Sequence, residues 1–127
     1  MTSTEDLNAI ILAVQRKWTS LYNVGNIRML VELYCPDGKA MMPGQAAKQG
    51  REGISVALSE MRKKIASYHP HAPDEIGRID ENMVFFSSGF TCYNPDGEPL
   101  YPGKGLFLLK KVDGEYLLYA DCINYNV

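Results

Sequence analysis

A chain of 127 residues is long enough to bury one core and too short for two ordinary domains, so it is read as a single domain over 1–127. With 46% apolar and 22% charged residues the composition excludes disorder, and a net charge of -2 with dispersed Lys and Arg leaves no footprint for nucleic acid or an anionic membrane. No apolar run approaches the ~18 residues of a membrane span, residues 2–6 are polar rather than signal-like, and three cysteines without a C-x-x-C spacing exclude a disulfide framework, so a cytoplasmic location is expected.

Ser3, Thr4, Glu5 and Asp6 supply an N-cap and first-turn acids for a helix whose apolar positions Leu7, Ile10, Ile11, Val14, Trp18, Leu21 and Tyr22 recur at helical spacing. Gly25 ends it, and Asn26 caps a second helix with Ile27, Leu30, Val31 and Tyr34 as its stripe, stopped by Pro36. Asp37-Gly38 turns the chain into a short strand, 39–42, which Pro43-Gly44 closes. A third helix starts near Arg51, turns Ile54, Ala57, Leu58, Met61, Ile65 and Tyr68 to one side, and is broken by the prolines of residues 69–73. Strands are predicted over about 75–79, 83–93, 104–112 and 115–124, with turns at Asn94-Pro95-Asp96-Gly97 and Asp113-Gly114. Three helices followed by a meander predict an α+β fold, the helices packed on one face of a curved, mainly antiparallel sheet.

Alternation along 83–93 separates Phe85, Ser87, Gly89, Thr91 and Tyr93 from Val84, Phe86, Ser88, Phe90 and Cys92. The first set, small and partly polar at its centre, is assigned to a hollow under the helices; the second, bulky and apolar, to a convex face that needs covering. On the last two strands the hollow receives Leu106, Leu108, Tyr119, Asp121 and Ile123, and the convex face Phe107, Leu109, Tyr116, Leu118, Ala120 and Cys122. So large an apolar face predicts a homodimer through it.

Trp18, Tyr34, Met42, Leu58 and Met61 complete a lining of aromatic and methionine side chains. With Phe85, Ser87, Tyr93, Leu108, Tyr119 and Ile123 it suits a small apolar ligand, although the same residues also serve as ordinary core. Asp121 is the one acid in this hollow. Apolar surroundings disfavour its ionised form, which is how general acids and bases are tuned, and equally it can fix a strand by accepting hydrogen bonds. His69-Pro70-His71 offers two metal ligands with no third to be placed, so no metal is expected; no cofactor is expected either. Gly103-Lys104-Gly105 lacks the strand-to-helix context of a phosphate loop and is read as a strand start or bulge.

Four fragments, V-Q-R-K-W-T-S-L-Y-N-V-G-N-I-R-M-L-V-E-L-Y, D-G-K-A-M-M-P-G, Q-G-R-E-G-I and V-D-G-E-Y-L-L-Y-A-D-C-I-N, occur in this order over nearly the whole chain. Together they resemble the SnoaL-like branch of the nuclear-transport-factor-two-like superfamily. The resemblance implies a cone-shaped domain with a pocket between sheet and helices, often dimeric through the convex side of the sheet. It does not fix a reaction, because the superfamily joins ketosteroid isomerase, polyketide cyclases, a dehydratase and an epoxide hydrolase to non-enzymatic domains. Laid over the isomerase pattern, the base position falls on Met42, the oxyanion acid on Leu108 and the tyrosine on Trp18, so that activity is not expected. The expected function is a small-molecule-binding domain of unassigned reaction. The alternatives are a cofactor-free isomerase, cyclase or dehydratase using Asp121, and a non-enzymatic dimerisation or assembly module.

Overall fold

The structure, a computed structural model, describes residues 6–126; Ser3, Thr4 and Glu5 of the expected helix start lie outside them. Asp6 caps the first helix, α1 (Leu7–Asn23), its Oδ1 accepting from the Ala9 amide at 3.2 Å. The predicted stripe sends Ile11, Trp18 and Tyr22 into the core, and Gly25 ends the helix with the positive φ of 78° that a left-handed cap requires. Asn26 caps α2 by accepting from Met29, but α2 (Ile27–Leu30) is a single turn continued as a 3-10 turn at Val31–Leu33. The helix expected up to Tyr34 is cut short because Tyr34 already pairs with Leu118 of the last strand, as the first residue of β1 (Tyr34–Met41).

After the short β2 (Lys48–Gln49), α3 (Gly50–Lys64) buries Ile54, Ala57, Leu58 and Met61. It stops before Tyr68, which the helical spacing had assigned to it; Tyr68 lies instead in β3 (Ser67–Pro70). Four hydrogen bonds draw the chain away from the helix. Arg62 donates to the carbonyls of Tyr22, Asn23 and Ala66, and the Ala66 amide donates to the Tyr93 carbonyl. The remaining strands are β4 (Glu75–Arg78), β5 (Met83–Tyr93), β6 (Gly103–Val112) and β7 (Glu115–Tyr125). Asp113 and Gly114, both at positive φ, make the tight turn predicted between the last two.

The result is a mixed α+β fold with one open sheet in the order β2-β1-β7-β6-β5-β3, β4 also pairing with β5. All pairs are antiparallel except β1 with β7. The core lies between the helices and the sheet, and the residues that face it correct the sequence reading. On β5 the buried side is Val84, Phe86, Ser88, Phe90 and Cys92; on β6 it is Phe107 and Leu109. Phe85, Ser87, Tyr93, Leu106 and Leu108 alternate to the outer face, where Leu106 is 50% exposed. The apolar stripes of α1 and α3 need a bulky apolar surface to pack on, and each large side chain fully buried between them contributes roughly 1.5–3 kcal/mol. The face read as awaiting a second chain is therefore the face the helices cover.

On β7 the alternation breaks. Leu108 pairs with Ala120 but Leu109 pairs with Leu118, which leaves Tyr119 as an extra residue in a bulge. Leu118 and Asp121 consequently both face the core, and Tyr119, assigned to the hollow, does not share their face. It lies within 5.8 Å of Lys39 Nζ and 5.4 Å of Lys110 Nζ, measured to its ring centre.

Two glycines of β6 make room for aromatic rings of the core. A Cβ at Gly103 would collide with the Asn124 carbonyl oxygen and the Phe90 ring, and one at Gly105 would stand 2.6 Å from the Phe107 ring. The backbone oxygen cannot yield to the first collision. Gly103→Ala is expected to cost about 1–3 kcal/mol, read as a lower urea midpoint with an unchanged m value.

Candidate functional site

Three elements bring polar groups to one buried place. Trp18 lies one helical turn before Tyr22 on α1 and stacks on its ring, 4.9 Å between centres and 7° between planes. Its indole Nε1 donates to the Tyr34 hydroxyl at 3.0 Å, and that hydroxyl donates to Asp121 Oδ2 at 2.5 Å. Asp121 is 1% exposed, and Phe107 on β6 and Ala40 on β1 are its direct neighbours across the sheet.

Burial disfavours the charged carboxylate and carries the pKa of Asp121 up to about 7, against the opposing pull of the Tyr34 hydrogen bond. The phenol of Tyr34 is raised well above its ordinary value, first by burial and then by the charge of Asp121, so it remains a donor. Burial, followed by the field of Asp121, also raises Tyr68. The chain thus holds a carboxyl group that changes state near neutral pH beside hydroxyls that do not.

Among the described residues, three buried polar atoms nearby have no hydrogen-bond partner: Thr19 Oγ1, Tyr68 Oη and Asp121 Oδ1. Left so, each costs about 1–3 kcal/mol. Thr19 and Tyr68 stand on the wall of a cavity of about 20 Å³ between α1 and the sheet, whose apolar lining includes Val14, Trp18, Phe86, Phe107 and Leu118. That volume matches roughly one water molecule. Asp121 does not reach this wall, whereas Trp18 and Tyr68 do.

Of the residues the sequence assigned to the hollow, Trp18, Tyr34, Met42, Leu58, Met61, Asp121 and Ile123 are buried between helices and sheet. Only Trp18 touches the cavity; the other apolar ones fill the core. Phe85, Ser87, Tyr93 and Leu108 are carried to the outer face by strand alternation, and Tyr119 leaves the inner set through the bulge. Phe85 lies there against Gly77 of β4, where a Cβ would clash with its ring. Val14, Gln15, Thr19, Tyr68, Phe86, Ser88 and Phe107 were not assigned to the site by sequence, yet they line it. The i, i+4 spacing of Val14 with Trp18 and of Gln15 with Thr19 carried the signal for the helical members.

His69 packs edge-on against Tyr93, and His71 sits over Gly89; among the described residues no cluster of His, Cys, Asp or Glu has the make-up of a metal site. Cys35, Cys92 and Cys122 are free thiols, and burial raises the first two, which makes them poor nucleophiles. Among the described residues no helix is long and apolar enough to cross a membrane.

No protein-family model and no curated protein matches the chain. Solved structures do. A protein of unknown function with a cystatin-like fold from Nostoc punctiforme superposes with a TM-score of 0.83 at 13% identity, over 99% of this chain and 96% of its own. An NTF2-like protein with a cystatin-like fold from Novosphingobium aromaticivorans gives 0.78 at 12% identity, over 95% and 82%. The fold is NTF2-like. A ketosteroid isomerase-like protein from Erwinia carotovora atroseptica shares it, at a TM-score of 0.81 and 21% identity over 98% of this chain and 99% of that one. Identities this low establish the NTF2-like fold and assign no reaction.

Because folding lifts the Asp121 pKa from 3.8 to about 7, the folded state binds the extra proton between those values. Stability is then greatest near and below the unfolded pKa and is lost as pH rises through the folded one. The neutral isostere Asp121→Asn keeps an acceptor for Tyr34 and removes this dependence. Melting curves from pH 5 to pH 8 should fall more steeply for the native chain than for the variant; parallel curves would contradict the raised pKa.

Proposed function

We propose that this chain is a small-molecule-binding protein of NTF2-like fold, with its ligand held between α1 and the sheet and its reaction unassigned. The observation that carries the reading is the pair Thr19 Oγ1 and Tyr68 Oη, two buried hydroxyls without partners on the wall of an otherwise apolar cavity. A few polar groups on a greasy wall are the make-up of a small-molecule site. The ligand is compact and mostly apolar, with at least one atom able to pair with a hydroxyl. At about 20 Å³ the cavity is too small for any organic molecule, so binding goes with an outward shift of α1 at the half-buried Val14 and Gln15.

Asp121 supports a second reading, cofactor-free acid/base catalysis. A carboxyl group with a pKa of about 7 both holds and releases a proton at working pH, and its Oδ1 is unpartnered. Tyr68, which feels the charge of Asp121 and reaches the cavity wall, stands between the acid and a bound molecule in this scheme.

A second copy of the chain is the occupant proposed for the outer sheet face. There Ser87, Leu106, Cys122 and Met41 form one continuous row across four strands, with Leu106 and Met41 50% and 38% exposed. Sedimentation velocity should give a dimer for the native chain and a monomer for Leu106→Lys; a native monomer at micromolar concentration would remove this part of the proposal.

Native mass spectrometry of protein recovered from an extract of its source cells tests the ligand. A discrete retained mass is expected, lost in Val14→Phe, a substitution that fills the cavity from α1 while circular dichroism stays unchanged. Recovery of the bare chain mass alone would count against a small-molecule function.

A further inference from the structure

The interior cavity shares a wall with a second, open space. On the solvent side of α1, facing the residues that link β3 to β4, lies a groove of about 370 Å³. Gln15, Thr19 and Pro70 line both. The helix makes this arrangement simple: Gln15 and Thr19 form one i, i+4 row that divides the two spaces, and Leu12, Arg16 and Ser20 form the next row, the outer bank of the groove.

Gln15 is the long polar side chain of that partition. Its Nε2 stands 3.5 Å from Ser88 Oγ, a cavity residue, and 3.5 Å from the His71 carbonyl, at the groove. Both distances are at the long limit for an N–H···O bond, so the side chain is held weakly. The partially exposed Gln15 can turn into the groove without leaving a buried amide unpaired. Among the described residues the groove carries one permanent cation, Arg16, with His71 on the opposite bank and no carboxylate in its wall.

We propose that cavity and groove form one site gated by Gln15, and that it takes an amphipathic carboxylic acid: a compact apolar body inward against Val14, Trp18 and Phe107, and a carboxylate outward at Arg16. The assignment rests on the interior being a ligand site, as proposed above. It adds the ligand's charge, the direction in which it lies and the residue that reads its head group. A carboxylate at a guanidinium gains charge-assisted hydrogen bonds that a neutral amide of the same shape does not.

Trp18 is the only tryptophan of the chain and lines the cavity, so its emission reports occupancy there. Cyclohexanecarboxylate and cyclohexanecarboxamide, matched in shape and differing in charge, are the probes. The acid should half-saturate the Trp18 signal at a concentration about 5–10-fold lower than the amide, with the gap narrowing as salt is added. Arg16→Gln, on the helix surface, should erase the gap and leave amide binding unchanged. Gln15→Glu, which puts a negative charge at the gate, should weaken the acid more than the amide and so narrow or reverse the gap. Equal half-saturation by the two probes in the native chain would overturn the acid assignment while leaving an interior site intact. A gap that survives in Arg16→Gln would overturn the role of that residue. Silence of Trp18 toward both probes would overturn the joined site and the interior site together.

Discussion

Asp121 is a carboxyl group on an interior strand of the sheet, and keeping it there constrains everything around it. Water is excluded, so its charge must be met by fixed donors or suppressed by a proton, and both occur: Tyr34 donates to it while burial lifts its pKa toward neutrality. Tyr34 in turn is aimed by the Trp18 indole, which ties α1 to β1 and β1 to β7 through a single line of hydrogen bonds. The early end of the second helix, the parallel pairing of β1 with β7 and the small Ala40 beside the acid all serve to let Tyr34 and Asp121 meet. A buried network of this kind fixes one arrangement of helix on sheet more firmly than apolar packing alone.

Local chemistry was legible in the sequence wherever one residue type dictates a backbone shape. The end of α1 at Gly25, the Asn26 cap and the Asp113-Gly114 turn stand where expected, and Trp18, Tyr34, Met42, Leu58, Met61, Asp121 and Ile123 are buried. The side of the sheet was not legible. Alternation sorts Phe85 from Phe86 but does not say which set meets the helices, and a face of Ser, Gly and Thr was mistaken for a hollow when it is simply the side no helix covers. The bulge at Tyr119 compounded this, since an extra residue in one strand reverses parity from that point on and leaves no mark in composition. Tyr68 departs from its helical spacing for a related reason: that spacing from Ile65 fits a helix, and the Arg62 bonds together with the pull of β5 on Ala66 turn the chain into a strand.

The NTF2-like fold narrows the place where chemistry can happen without naming it. Met42, where the sequence resemblance would put an isomerase base, is buried in the core, and Leu108, where it would put the oxyanion acid, lies on the outer face. What distinguishes this interior is a set of polar atoms without partners beside a void too small for an organic molecule. Natural cores rarely leave such atoms unmatched, and where they do, a site for another molecule is a sound physical explanation.

The parallel pairing of β1 with β7 also bears on how the chain is made. Because α1 is made before β7, Tyr34 must wait for an acid 87 residues further along before its hydrogen bond can form. Until then the apolar stripes of α1 and α3 have emerged without the centre of the sheet they pack on, since β7 lies between β1 and β6 and is the last strand of the described chain. Completion of the sheet thus waits on β7, and the helices made before it are left meanwhile as sticky surfaces for a holding chaperone. Loss of β7 would remove the middle of the sheet, whereas loss of an edge strand would only shorten a margin.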